Sequence, residues 1–178
     1  MVIQINTKVS VGESYGDKAP NITLEDARFF GRPNFSGEED RFKDARRKFT
    51  VLIPNEVADE LRALGYNVKT DIPNDEEKAQ GRETISHLKV MVDPPTEGGG
   101  SSVFVKMGDN KPEKLTVQTL GVMDRARLET MDMEIRAWMY NEEEVRKGLE
   151  SPQYSARLVA LVASIRMNLL DQKYGMLG

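Results

Sequence analysis

From Met131 to Met139 the apolar side chains fall on every second residue: Met131, Met133, Ile135, Ala137 and Met139 alternate with Asp132, Glu134, Arg136 and Trp138. A period of two cannot make a helical stripe; it makes a β-strand with one buried and one solvated face. Such a strand cannot stand alone, because its edges and its apolar face both need partners. The chain supplies them. In Arg46 to Ile53, Phe49, Val51 and Ile53 share a face opposite Lys48 and Thr50. In Thr84 to Asp93, Leu88, Val90 and Val92 oppose His87, Lys89 and Met91. Asn21 to Phe30 reads as a strand with Ala27 and Phe29 inward and Arg28 and Phe30 outward, followed by a break at Gly31 to Asn34 and a polar turn, so that it pairs with Arg46 to Ile53 as a hairpin. Tyr66 to Thr70, Val103 to Met107 and Lys114 to Val117 read as shorter strands, and residues 1–20 as an edge strand or arm.

Helical signals are few. Pro54 ends a strand, Asn55 is a suitable N-cap, Val57, Leu61 and Leu64 recur at helical spacing, and Gly65 can close the helix. Thr119 to Leu128 can form a second, short one. Residues 71–83, 94–102 and 141–153 read as loops; Gly98-Gly99-Gly100 lacks the spacing of a phosphate-binding loop and no helix-forming run follows it. The segment Ser155 to Leu170 fits two patterns. Tyr154, Leu158, Leu161, Ile165 and Leu169 make a helix face, whereas Arg157, Val159, Leu161, Ala163, Ile165 and Met167 make one side of a buried strand.

With 178 residues, 39% of them hydrophobic, the chain can bury a core as a single domain over 1–178 without a metal or disulfide staple. It has no cysteine, which excludes thiolate sites and suits a reducing cytosol, and its single histidine, His87, removes multi-histidine metal sites and the usual catalytic base. No apolar run reaches the roughly twenty residues that span a bilayer, and the first residues do not read as a secretory signal. A cytoplasmic protein that needs no metal or cofactor is expected. The carboxylates Asp124, Glu129, Asp132 and Glu134 come without a spacing that pairs them with a base, so no enzyme active site is expected.

The stretch Thr23 to Ile53 holds the distinctive chemistry. Phe29, Phe30, Phe35, Phe42 and Phe49, five of the six phenylalanines, lie there, interleaved with Arg28, Arg32, Arg41, Lys43, Arg46, Arg47 and Lys48. Arg41 to Lys48 carries five basic residues against Asp44 alone, a local charge of plus four in a chain whose net charge is −4. Unpaired bases offer faces to rings and phosphates to cations, so single-stranded nucleic acid is the complement of such a hairpin. On the strand at Met131, Arg136, Trp138 and Tyr140 share the polar face and extend the same chemistry.

Taken together, NITLEDARFFGRPNFSGEEDRFKDARRKFTVLIP, VADELRALGYNVK, SHLKVMVD, MDMEIRAWMYN and ARLVALVASIRMNLL resemble a family of bacteriophage single-stranded DNA-binding proteins over most of residues 21–170. The resemblance implies a mainly β fold, an OB-fold-like Greek-key β-barrel with one or two short helices and long inserted loops, in which the closing segment pairs as a strand. It implies sequence-tolerant protection of single-stranded DNA in phage replication or recombination, in the cytosol of a bacterial host. Phe30, Phe35, Phe42, Trp138 and Tyr140 are then the stacking residues, and Arg28, Arg32, Arg41, Lys43, Arg46, Arg47, Lys48 and Arg136 the phosphate contacts. Replication or recombination proteins and further copies of the chain are candidate partners. The chain ends DQKYGMLG, without the acidic tail through which many such proteins recruit partners. The alternative from the residues alone is a virion or assembly protein that docks another chain on the aromatic hairpin.

Overall fold

The computed structural model describes residues 5–13, 19–139 and 154–165. Its longest strands are β8 (Leu128–Met139) and β9 (Tyr154–Ile165), which pair antiparallel along their lengths. As the alternation requires, Met131, Met133, Ile135 and Ala137 are all buried. On its other edge β8 pairs with β2 (Ile22–Glu25), which in turn carries the edge strand β1 (Lys8–Val11). The far edge of β9 is divided. Its start runs parallel to β5 (Ile85–Met91) and its end parallel to β6 (Ser102–Met107). β5 is antiparallel to β3 (Lys48–Ile53) and also to the short β4 (Lys69–Asp71).

The chain after β2 then closes the circuit. Ala27 N–H donates to the Met131 carbonyl (2.7 Å), still beside β8, but Phe30 N–H donates to Thr50 O (2.8 Å) and Leu52 N–H to Arg28 O (2.9 Å), so the segment has crossed to β3. The bridges Phe29 to Val51 and Asn34 to Lys48 complete the contact. The circuit β2–β8–β9–β5–β3 thus closes around the core, and β8 returns beside β2, the first of the antiparallel run β2, β3 and β5, the Greek-key order. This is the expected OB-type barrel, mainly β with short helices.

β9 is a strand throughout its described length, which settles the two-way reading of this segment; residues beyond Ile165 lie outside the description. Between the pairs Ile135–Leu158 and Glu134–Ala160 the register shifts by one residue, a β-bulge at Val159. Ala156 and Leu158 point inward before it, and Leu161, Ala163 and Ile165 after it. The strand face expected from Arg157 through Val159 to Met167 therefore holds only for its second half. Arg157 faces out.

The connections also differ from expectation in detail. α1 (Asn55–Ala63) has no side-chain cap at its start, because Pro54 occupies the N-cap position and the expected cap, Asn55, is the first helical residue; its amide donates to Thr84 O (2.9 Å) and accepts from Ser86 Oγ (2.7 Å), tying the helix to β5. Gly65, at φ 103, closes α1 as expected. The expected loop 71–83 contains α2 (Asp75–Ala79), held by a reciprocal capping box in which Glu77 N–H donates to Asn74 Oδ1 (2.8 Å). β7 (Glu113–Lys114) pairs with β6, and α3 (Val122–Arg125) precedes β8. The expected loop 141–153 lies outside the described residues. Among those described, no helix is long and apolar enough to cross a membrane.

Candidate nucleic-acid interface

Because each strand turns one set of side chains into the barrel, its outer wall is fixed by what is left. β3 leaves Lys48 and Thr50, β5 leaves His87, Lys89 and Met91, β9 leaves Ser155 and Arg157, and β8 leaves Arg136 and Trp138. Register aligns them: Arg136 lies opposite Arg157, Arg157 opposite Met91, and Met91 opposite Lys48. Three strand spacings separate the ends of this row, about 14 Å.

At one end sits Trp138, 47% exposed. The Arg136 and Arg157 guanidinium carbons lie 5.0 and 5.3 Å from its ring centre, within cation–π range. Asp93, just past β5, pairs with Arg157 at 2.5 Å and with Arg136 at 3.7 Å. On the other side of β5 the Phe30 ring stacks on His87, 5.0 Å between centres and 18° from parallel, while His87 Nε2 lies 3.0 Å from Asp71 Oδ2. Between the two aromatic sites lies Lys89. Desolvation pulls its amine below the usual lysine value, and Arg46, Lys48 and Lys69 push the same way, against a smaller opposing effect of Asp44. Lys48 on β3 and Lys69 on β4 flank the strand that carries Lys89, so positive charge gathers on this part of the wall.

The 35–47 loop rises beside the wall on a rigid root. Phe35 is fully buried against Phe29 and Phe49, with ring centres 5.9 and 5.4 Å away. Arg47 turns inward, its Nε donating to Phe35 O (3.0 Å), and Asp124 accepts from the backbone N–H of Phe35 (2.6 Å) and Ser36 (3.1 Å). At the tip, Asp40 Oδ1 accepts from Phe42 N–H (2.8 Å) and Asp44 N–H (3.0 Å), and Lys43 takes a left-handed φ of 60. Asp44 pairs with Arg46 (2.9 Å) and with Lys48, and these partners hold its carboxyl well below the usual carboxylate range. What the tip offers solvent is Phe42, 74% exposed, with the Arg41 guanidinium 4.7 Å from its ring centre. Between the loop and the 113–126 segment runs a groove of about 1430 Å³, lined among others by Arg32, Phe42, Lys48, Lys89, Lys114 and Arg125.

A family model described as "Putative phage ssDNA-binding domain" matches residues 14–174 of the chain. The chain belongs to that family. Solved structures similar to this phage domain include the single-stranded DNA-binding protein of bacteriophage Enc34 in a C-terminal truncation, at 10% identity and a TM-score of 0.48 over 90% of this chain and 97% of that one. The Enc34 protein in complex with ssDNA is similar at 11% identity, with the same TM-score and coverage. No curated protein matches in sequence.

The phage domain brings together many of the residues expected from sequence, and separates others. Phe30, Lys48, Arg136 and Trp138 lie on the wall; Arg32, Arg41, Phe42 and Lys48 line the groove. Arg28 and Lys43 are exposed, and Arg46 is exposed while paired with Asp44. Phe35 is corrected from a stacking residue to a core residue, since it has no face left for a base. Arg47 is corrected from a phosphate contact to a loop anchor, its guanidinium committed to two carbonyls, those of Phe35 and Ser36. Tyr140 lies outside the described residues. Sequence reasoning missed Lys89 and Arg157. Lys89 was legible as an outward residue, but nothing local placed its strand beside Lys48; Arg157 was hidden by the bulge. Three of the four carboxylates that come without a paired base do structural work: besides Asp124, Asp132 Oδ1 accepts from Asp26 N–H (2.9 Å) and Glu134 Oε1 from Asn21 Nδ2 (3.1 Å). Among the described residues no group of three or more such side chains is gathered to hold a metal.

Proposed function

We propose that this phage domain sheathes single-stranded DNA without sequence preference during replication or recombination in the host cytosol, and catalyses no reaction on it. The strand lies across the outer wall, with bases against Phe30 and Trp138 and phosphates on Lys48, Lys89, Arg136 and Arg157, while the Phe42 tip closes over it from the groove side. The observation that carries this reading is the register-aligned row from Arg136 to Lys48, with a ring-bearing site on each side. Stacking on flat rings accepts any base, and the cations follow the backbone, which is why recognition of this kind tolerates sequence. A duplex hides its base faces in its own stack and so loses half of the interaction.

Trp138 is the only tryptophan and reports directly on the site. Titration with oligo-dT quenches its fluorescence, whereas the same length of duplex leaves it unchanged at equal salt. With about five phosphates neutralised, log K falls against log salt with a slope near about −3.5, at about −0.7 per contact. Equal quenching by both nucleic acids overturns the preference for single strands, whereas no quenching by oligo-dT, or a slope near zero, removes the wall from the site. Replication or recombination proteins and further copies of the chain are the partners this activity would meet on the strand.

A further inference from the structure

Arg136 and Arg157 stand directly opposite one another in an antiparallel pair, where like charges repel. An anion beside such a pair relieves the repulsion, and the anion here is Asp93. Its position is not incidental. Asp93 N–H donates to Ser101 Oγ (3.0 Å), Ser101 N–H donates back to Asp93 O (2.9 Å), and the buried Ser101 hydroxyl donates to Leu158 O (2.6 Å). The loop between them folds tightly enough that a Cβ on Gly100, at φ +88, would lie 2.2 Å from Pro94 O. The loop that carries the glycine run thus holds a carboxylate beside two arginines. Asp93 balances one of the two charges, and the buried Arg157 Nε–H meets no acceptor among the described residues.

We propose that Asp93 is a built-in competitor for the phosphate. Its carboxylate holds the anion position between Arg136 and Arg157 in the free protein and yields to a strand phosphate on binding. The exchange keeps the arginines ordered beside Trp138 when no DNA is present, and it weakens the grip at this point, so that a bound strand can be released and shifted. The inference rests on the wall being the DNA site.

The test is Asp93→Asn in the full chain, with binding to labelled oligo-dT followed by anisotropy across a salt series. Removing one negative charge a few ångströms from a phosphate tightens binding by about fivefold at moderate salt. The salt slope steepens by about 0.7, since one more phosphate charge is met by the protein's own cation. Two controls locate the effect: Glu76→Gln, the same change of charge on α2, leaves affinity unchanged, and adding Arg136→Gln and Arg157→Gln to Asp93→Asn abolishes the gain. Weaker binding by Asp93→Asn would show that Asp93 only positions the arginines, and unchanged binding that it does not meet the strand; either overturns the proposal. A wild-type protein with no affinity for oligo-dT would instead remove the proposed function, and this inference with it.

Discussion

The wall and the loop tip present the same pair of groups, an exposed ring with arginine beside it, yet they are built in opposite ways. Trp138 and its two arginines are placed by strand pairing: residues 136, 138 and 157 come together only because β8 and β9 align in one register. Phe42 and Arg41 are placed by neighbours in sequence, through the Asp40 carboxylate and the Asp44 pairs. A platform fixed by a ladder is preorganised and loses little entropy on binding, while a tip held by exposed local bonds can move to meet the strand at a cost in ordering. The wall should therefore supply most of the affinity, and the tip should act mainly on how long a strand stays.

The largest effect tests where the loop ends and the barrel begins. Phe35→Ala empties a site stacked on Phe49 and costs about 3 to 5 kcal/mol of stability, read from chemical denaturation. A loss below about 1 kcal/mol would mean that Phe35 belongs to the loop after all. Next comes the wall. Trp138→Ala removes an exposed ring and leaves the fold intact, but weakens binding to labelled oligo-dT by about 1 to 3 kcal/mol. Wild-type affinity in this variant would shift the weight of binding to the tip and reverse the comparison.

The same contrast explains what could be read from the sequence. Period-two patterning identified β3, β5 and β8 and the inward face of each, because burial of one strand face leaves its mark on neighbouring residues. The clustering of rings and cations marked the loop for the same reason. Strand order and register leave no such mark. Lys89 joins Lys48, and Arg157 joins Arg136, only through pairings that span tens of residues. A single bulge at Val159 moved Arg157 from the inferred core face to the wall. The misread residues of the loop failed differently: Phe35 and Arg47 have the composition of a binding loop, but Asp124, far along the chain, pins the backbone at Phe35 and Ser36, turning the root into core.

The tip is expected to give the smaller effects. Phe42→Ala lowers affinity by about 1 kcal/mol, the lower end for a stacked ring. Because Phe42 packs against little, its melting temperature stays at the wild-type value. An affinity loss matching that of Trp138→Ala would make tip and wall equal partners.

The smallest effect concerns Asp44. Its folded-state pKa is depressed, so the stability it contributes is fully present above the ordinary carboxylate pKa of about 4 and erodes as the pH falls below that toward the depressed value. Asp44→Asn should therefore melt slightly below wild type at neutral pH and converge with it in strong acid. High salt should shrink the difference, since exposed ion pairs are screened. The same substitution frees Lys48, and one of Arg46's contacts, for phosphates, so its salt slope should steepen slightly even as the fold weakens. A slope that flattens instead would mean that an ordered tip matters more to binding than the charge its carboxylate withholds, and that the loop, like the wall, works by preorganisation.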